Sequence, residues 1–280
     1  MILVDLNQVL ISNLMVQTRG QADVKPNKDM IRHMVINSLR GFNTKFKSKY
    51  GKMVLCSDAG DPWRRDIFPN YKYSRRKNRV DSDFDWDNIF QIITEIKNEI
   101  RDNFPYVVMY VENCEADDII AVLSKHYHQN ESIMIISGDK DFIQLQRYKN
   151  VKQFAPIQKK NIGEDLDPNQ FLVEQIIKGD RSDGVPNILS PDNCFVTGEK
   201  QKPITKKRLE EYQHLKTKEV EIQKNIDRNT NLIDLSKIPQ QHEENIINTF
   251  NDYKVPDRSL LLSYFIENKL KSMIENINDF

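Results

Sequence analysis

Two short motifs carry five carboxylates: Glu115, Asp117 and Asp118 in EADDIIAVL, then Asp139 and Asp141 in IISGDKDF. Lys140 is the cation set among them. At an effective dielectric of about 20, like charges about 4 Å apart repel by about 4 kcal/mol, so carboxylates gathered at one place need protons or a counter-ion. A hard divalent cation, Mg²⁺ with Mn²⁺ as substitute, suits donors that are all oxygen. Zinc prefers nitrogen and sulfur, for which Cys114 is the nearest source. Acids are also favoured at helix starts and turns, so either motif alone is equally a cap or turn signal. Together they point to metal chemistry.

The elements around them have to bring these acids to one place. YVVMYV is an apolar run that ends before the acidic helix start of EADDIIAVLSKHY, and Ile133–Ile136 is another that ends at Ser137-Gly138. MILVD runs into Asp5 in the same way, and KMVLCSD into Asp58, with Asp61 close behind. Strands repeatedly ending in acid predict an α/β fold with a mainly parallel central sheet flanked by helices. Ligands of such sheets bind beyond the strand C-termini. Residues 28–50 and WDNIFQIITEIKNEIRDNF have helical apolar spacing, as does the stretch ending in QIIKGD. Asp180 and Asp183 follow in KGDRSDGVP, which by itself is also an ordinary helix stop. From about residue 198 the texture is charged and helical, and HEENIINTFNDY and RSLLLSYFIENKLKSMIENIN each read as an amphipathic helix.

Formal charge is balanced at 41 basic against 41 acidic residues, so distribution matters more than total. WRRDIFPNYKYSRRKNR concentrates Arg64, Arg65, Lys72, Arg75, Arg76, Lys77 and Arg79 against Asp66, with Trp63, Phe68, Tyr71 and Tyr73 interleaved. Cations that neutralise phosphate and aromatic faces that stack on unpaired bases suit nucleic acid. KQKPITKKR, with Lys206, Lys207 and Arg208, is a second basic patch. No apolar run is long enough to span a bilayer and no signal-peptide pattern opens the chain, so an intracellular protein without membrane association is expected. Three cysteines without paired spacing read as reduced thiols. No histidine lies in the acidic motifs, which argues against a metal-free histidine hydrolase.

Taken as an ordered set, ILVDLNQ, VLCSDAGDPWRRD, NYKYSR, EADDIIAVL, IISGDKDF, KGDRSDGVP and NLIDLSKIP resemble the metal-dependent 5′ nucleases, or flap endonucleases, and within them the ribonuclease H branch of T-even-type bacteriophages. The resemblance covers nearly the whole chain. It implies a PIN-like nuclease core over residues 1–178, including a basic arch at about 63–87. Residues 179–280 would form a helical duplex-binding and C-terminal region that opens with a helix-three-turn-helix-like unit. It further implies a first Mg²⁺ site drawing on Asp5, Asp58, Glu115, Asp117, Asp118 and Asp139, and a second on Asp141, Asp180 and Asp183. Asp5, Asp58, Asp117, Asp118 and Asp139 would be catalytic with Lys72, which matches a lysine placed near the scissile phosphate, and Tyr71 the aromatic beside it. Arg64, Arg65, Tyr71, Lys72, Arg75, Arg76, Arg79, Lys206, Lys207 and Arg208 would meet nucleic acid.

The implied activity is 5′ to 3′ hydrolysis of RNA/DNA hybrids, duplex DNA and 5′ flaps, removing RNA primers during phage replication in the host cytoplasm. The implied partner is a single-stranded-DNA-binding protein, and a monomer is expected. The chain departs from the family's pattern after Pro186, where NILSPDNCFVTGEKQKP stands in place of a second glycine-rich turn. Two other classes fit parts of the pattern: a PIN-type ribonuclease, which would lack the arch and KGDRSDGVP, and a noncatalytic structure-specific DNA-binding protein.

Overall fold

The computed structural model describes residues 1–280. In chain order the elements are β1 (Ile2–Asp5), α1 (Leu6–Thr18), α2 (Lys28–Tyr50), β2 (Met53–Ser57), α3 (Arg64–Ile67), α4 (Tyr73–Val80), α5 (Trp86–Asn103), β3 (Val107–Tyr110) and α6 (Ala116–Tyr127). Then come β4 (Ile133–Ile136), a 3₁₀ segment (Lys140–Arg147), β5 (Val151–Ala155), β6 (Lys160–Asn161), α7 (Pro168–Lys178), α8 (Cys194–Thr197) and α9 (Lys206–Tyr212). The chain ends with α10 (Val220–Ile233), α11 (Gln240–Asp252), α12 (Leu260–Glu267), α13 (Lys271–Glu275) and a last 3₁₀ turn.

The sheet order is β3-β2-β1-β4-β5-β6, parallel throughout except for the short antiparallel β6 at one edge. β1, β2 and β4 are buried along their whole length, which is why they read as unbroken apolar runs. The chain winds outward from β1 to β2 and β3, then returns to place β4 on β1's other side. The strand order therefore reverses between β1 and β4, and at such a switch point a crevice opens beyond the C-terminal ends. Asp5 ends β1 at that place.

One face of the sheet is covered by α1, α2 and α5, whose Ile89, Ile92, Ile93, Ile96 and Ile100 form one apolar stripe. The other is covered by α6 and α11. No helix is long and apolar enough to cross a membrane.

The 179–280 region is helical and packs onto the sheet core. Leu235, Ile238, Ile246 and Phe250 complete the core beneath α6, while Leu261, Tyr264, Phe265 and Phe280 complete the core beneath α2 and α5. There Glu99 takes both Arg32 (2.6 and 2.9 Å) and the Tyr264 hydroxyl (2.9 Å), locking α2, α5 and α12 together. The third core joins Leu172, Ile176 and Ile177 of α7 to Val185, Ile188, Tyr212 and α10. Apolar spacing marks the face a helix buries, not the partner that covers it. The last amphipathic stretch is also two helices, because Lys269 adopts a left-handed conformation (φ 55°) that ends α12.

Candidate active site: two acidic clusters beyond the strand ends

The strand register sets the first cluster. Asp5 lies opposite Cys56, two residues before Asp58, and Val4 pairs with Ile136, three before Asp139. Asp5 caps α1 by accepting from Gln8 N (3.0 Å) and also accepts from the Ser137 hydroxyl (3.2 Å). Asp58 accepts from Ala116 N (2.8 Å) at the start of α6, which brings the β2 end against the helix that carries Asp117. Asp139 caps the 3₁₀ segment through Asp141 N (3.0 Å). These carboxylates thus do cap backbone amides, and they also face one another. Burial first, then Asp58 and Asp139, push the Asp5 carboxyl up to about 6. Asp117 is pushed well above the carboxylate range by burial, with Asp139, Glu115 and Asp5 adding to it and Lys72 opposing.

The second cluster adjoins the first through Asp139 and Asp141. Carboxylate oxygens of Asp141, Asp180 and Asp183 all lie within 4.8 Å of one another. Burial, then Asp139, Asp180 and Asp183, raise Asp141 to about 8 although Gln175 donates to it (2.5 Å). The loop that carries Asp180 and Asp183 is closed by two glycines. Gly179 (φ 69°) passes so near Val185 and Pro186 that a Cβ would sit 2.4 Å from the Val185 carbonyl. Gly184 (φ 72°) lies against the Asn70–Tyr73 turn. The Lys72 amide donates to the Asp183 carbonyl (2.7 Å), which ties the basic segment to the acidic loop.

The residues fit a hard divalent cation. The donors are oxygens, a cation with ligand distances of about 2.0–2.6 Å spans oxygens about 4–5 Å apart, and the clusters otherwise hold buried like charges with too few cations to offset them. Asp5, Asp58, Asp117 and Asp139 would hold one ion, and Asp141, Asp180 and Asp183 a second.

A pH dependence follows, with its sign. Asp5 and Asp141 keep protons in the folded chain at pH values where the unfolded chain has lost them, so their contribution to stability declines as pH rises from about 4 through 6 and 8. A bound cation removes that penalty and displaces the protons. Mg²⁺ should therefore raise the melting temperature more at pH 8.5 than at pH 5.5, and its calorimetric binding enthalpy should change with the buffer's ionisation enthalpy. Equal stabilisation at both pH values would contradict this.

Four residues expected at the site take other parts. Asp118 is fully buried and turned away: it pairs with Arg64 (2.8 Å) and accepts from Trp63 Nε1 (3.2 Å) and Glu115 N (2.9 Å). A helix turns about 100° per residue, so when Asp117 faces the crevice its neighbour faces the core. Arg64 is enclosed too, bonded to Glu115 (3.0 Å), Asp118 and the Leu232 carbonyl (3.0 Å). Tyr71 has its ring in the third core and its hydroxyl 2.9 Å from both Glu115 and Asp183, so it offers no face to a base. Trp63 and Phe68 are buried likewise. Glu115 has both oxygens engaged by Lys72 (2.5 Å), Arg64 and Tyr71, which hold it in the ionised form despite its burial.

The remaining cations are accessible. Lys72, half-buried, stands between Glu115 and Asp183 (3.6 Å) and faces Asp117. Arg75, Arg76, Lys77 and Arg79 are exposed on α4, with Arg75 paired to Asp183 (2.5 Å). Arg65 is half-buried and paired with Asp61. Lys206 and Lys207 are exposed at the start of α9, while Arg208 is drawn to Glu211 (2.9 Å).

Sequence reasoning missed the side chains that hold the acids in place. Ser137 links Asp5 to the Asp139 amide (3.1 Å), Gln8 takes the Gly138 amide (2.6 Å), Gln153 donates to the Asp139 carbonyl (2.5 Å), and Gln175 holds Asp141. Ser137, inside IISGD, carried a usable signal; the glutamines carried none. Lys97 of α5, whose charge burial disfavours and Asp58 and Asp5 favour, is a further cation beside the first cluster.

Residues 2–175 match the family model for the N-terminal resolvase-like domain of 5′-3′ exonucleases, and residues 167–280 match the model for the C-terminal domain of T4 RNase H. The chain is 34% identical to ribonuclease H of Enterobacteria phage T4 over 99% of its length and 95% of the relative's. It is 32% identical to a 5′-3′ exonuclease of Mycoplasmopsis pulmonis, covering 48% of this chain and 45% of that one. Among solved structures it is similar in fold to the T5 D15 protein co-crystallised with metal ions (TM-score 0.62, 14% identity, 96% of this chain and 98% of the other). It is similar also to bacteriophage T5 D15 flap endonuclease in a pseudo-enzyme-product complex with DNA and metal ions (TM-score 0.63, 14% identity, 90% and 99%).

Proposed function

The chain belongs to the family of 5′-3′ exonucleases, and from that membership we propose that it is a Mg²⁺-dependent 5′ nuclease that removes RNA primers from lagging-strand fragments during phage DNA replication. Its substrates are RNA/DNA hybrids, nicked duplex DNA and 5′ flaps. The observation that carries the reading is the meeting of two carboxylate clusters at the sheet's switch point, with Lys72 and the exposed arginines of α4 beside them. When bound, Mg²⁺ supplies Lewis acidity at the phosphoryl oxygens and a nucleophilic water at neutral pH.

The protein's own groups do the rest. Asp5, Asp58, Asp117 and Asp139 hold the first ion, fixed by Ser137, Gln8 and the amide of Ala116. Asp141, Asp180 and Asp183 hold the second. Lys72 moves its ammonium from Glu115 toward the phosphoryl group, where it offsets charge as the bond breaks, and Arg75 steers the backbone between α4 and the Asp183 loop. Lys206 and Lys207, with the loop after α7, grip duplex backbone. The protein acts as a monomer in the host cytoplasm and works beside a single-stranded-DNA-binding protein.

A panel of end-labelled substrates tests this: a 5′-flap duplex, a nicked duplex, an RNA/DNA hybrid and single-stranded RNA, each with Mg²⁺ or EDTA. Cleavage from the 5′ end of the first three, abolished by EDTA, is expected. Preference for single-stranded RNA would favour a PIN-type ribonuclease instead, and binding without cleavage a noncatalytic DNA-binding protein.

A further inference from the structure

Lys72 heads α4 in a left-handed backbone conformation (φ 56°, ψ 23°). That conformation is costly for a residue with a Cβ, and lysine has no short polar side chain to bond the backbone locally, so the surroundings must impose it. What imposes it is the loop that carries the second acidic cluster. The Lys72 amide donates to the Asp183 carbonyl (2.7 Å), the Tyr71 hydroxyl to the Asp183 carboxylate (2.9 Å), and Arg75 Nε to the Ser182 carbonyl (3.1 Å). The loop is in turn folded on Asp180, whose carboxylate accepts from Ser182 N (2.7 Å) and Asp183 N (3.3 Å) and whose carbonyl accepts from Val185 N (2.7 Å).

Gly184 is what lets the two segments touch. It too is left-handed (φ 72°), and a Cβ on it would stand 3.2 Å from the Asn70 carbonyl oxygen, 3.7 Å from Lys72 N and 3.8 Å from Tyr73 N. All three are main-chain atoms, and the Asn70 carbonyl also accepts from the Tyr73 amide (3.0 Å) that closes the turn, so none can swing aside as the tip of a side chain could. A methyl group would push the turn off the loop by a few tenths of an ångström. From this turn the Lys72 side chain extends to Glu115 (2.5 Å) and toward Asp183 (3.6 Å), so a shift of the turn is a shift of the ammonium.

We propose that Gly184 is a positioning residue for Lys72: by admitting backbone-to-backbone contact, it lets the 180–184 loop hold Lys72 left-handed and so aims the ammonium at the first cluster. The loop of the second cluster thereby serves the chemistry of the first through the main chain, apart from any ion it holds. The proposal deepens the nuclease reading and rests on it.

The test is a double-variant cycle in the full-length protein. Gly184→Ala should lower single-turnover cleavage of a 5′ flap by about 10²-fold with duplex Kd nearly unchanged, because misplacement of a reacting group by about 1 Å costs that much. In a Lys72→Ala background the same change should cost little further, since the two act as one unit. Gly20→Ala is the control: it adds a Cβ at a similar φ (66°) with no atom within 4 Å, so it should melt lower yet cleave normally. Two measurements need no cleavage. By circular dichroism Lys72→Gly should melt above Lys72→Ala, because glycine takes the left-handed backbone without strain, and this comparison decides if Gly184→Ala does not fold. In metal-free protein, acetylation of Lys72 by acetic anhydride, read by mass spectrometry, should rise severalfold in Gly184→Ala while that of Lys77, exposed on α4, stays the same. Rate losses that multiply, a loss in duplex Kd instead of rate, equal melting of the two Lys72 variants, or unchanged acetylation would each overturn the proposal. Wild type that fails to cut in Mg²⁺ would defeat the nuclease reading alone, because melting and acetylation report the position of Lys72 without it.

Discussion

Asp117→Asn is expected to lower single-turnover cleavage of a 5′-flap substrate on the order of 10³-fold or more at saturating Mg²⁺, while the metal-free protein melts no lower than wild type. The side chain lies at the start of α6 beside the strand-end carboxylates Asp5 and Asp139, and its pKa is raised by burial and by Asp139, Glu115 and Asp5. Removing its charge relieves that repulsion in the empty protein, so fold stability should hold or rise. The same change removes an anionic ligand and weakens the preorganised field around the phosphoryl group, where loss of a single stabilising group costs about 10²–10³ in rate. Asp139→Asn should behave alike, because Asp139 borders both clusters. Opposite signs for stability and activity mark a functional site, since a merely structural aspartate would lose both. Retained turnover in both variants would remove the first cluster from the mechanism.

Arg64→Met is expected to act through stability. Arg64 stands inside the basic run, yet its guanidinium is enclosed between Glu115 (3.0 Å) and Asp118 (2.8 Å), donates to the Leu232 carbonyl and lies 4.5 Å from the Trp63 ring centre. Methionine fills similar space but leaves Asp118 buried without a cation. Breaking a buried pair from one side costs about 3–5 kcal/mol, which for a chain of this size lowers the melting temperature by about 10 °C. Adding Asp118→Asn should restore part of the loss, because it removes the stranded charge. Normal melting combined with a shallower salt dependence of DNA binding would instead return Arg64 to the phosphate-contacting set.

Those two residues also show what the sequence could and could not convey. Asp5, Asp58, Asp117 and Asp139 were legible because buried parallel strands read as unbroken apolar runs, and the acids that follow them must emerge on one edge of the sheet. Asp118 and Arg64 turn inward, and adjacency does not specify facing: EADD and WRR look the same whichever member turns inward. Tyr71 is a like case, an aromatic among cations being as ready to fill a core as to stack on a base. Gln153 and Gln175 come from β5 and α7, far along the chain, and became visible only when folding brought them to Asp139 and Asp141. The departure after Pro186 was plain as a departure, but its placement depends on anchors as distant as Asn70 and Arg228.

The central claim is that carboxylates scattered along the chain hold divalent cations at the sheet's switch point. Anomalous diffraction from crystals soaked in Mn²⁺ tests it most directly. The account predicts one peak among Asp5, Asp58, Asp117 and Asp139 and a second among Asp141, Asp180 and Asp183. Saturating Mn²⁺ with no peak at either cluster, or peaks only elsewhere on the molecule, would contradict it.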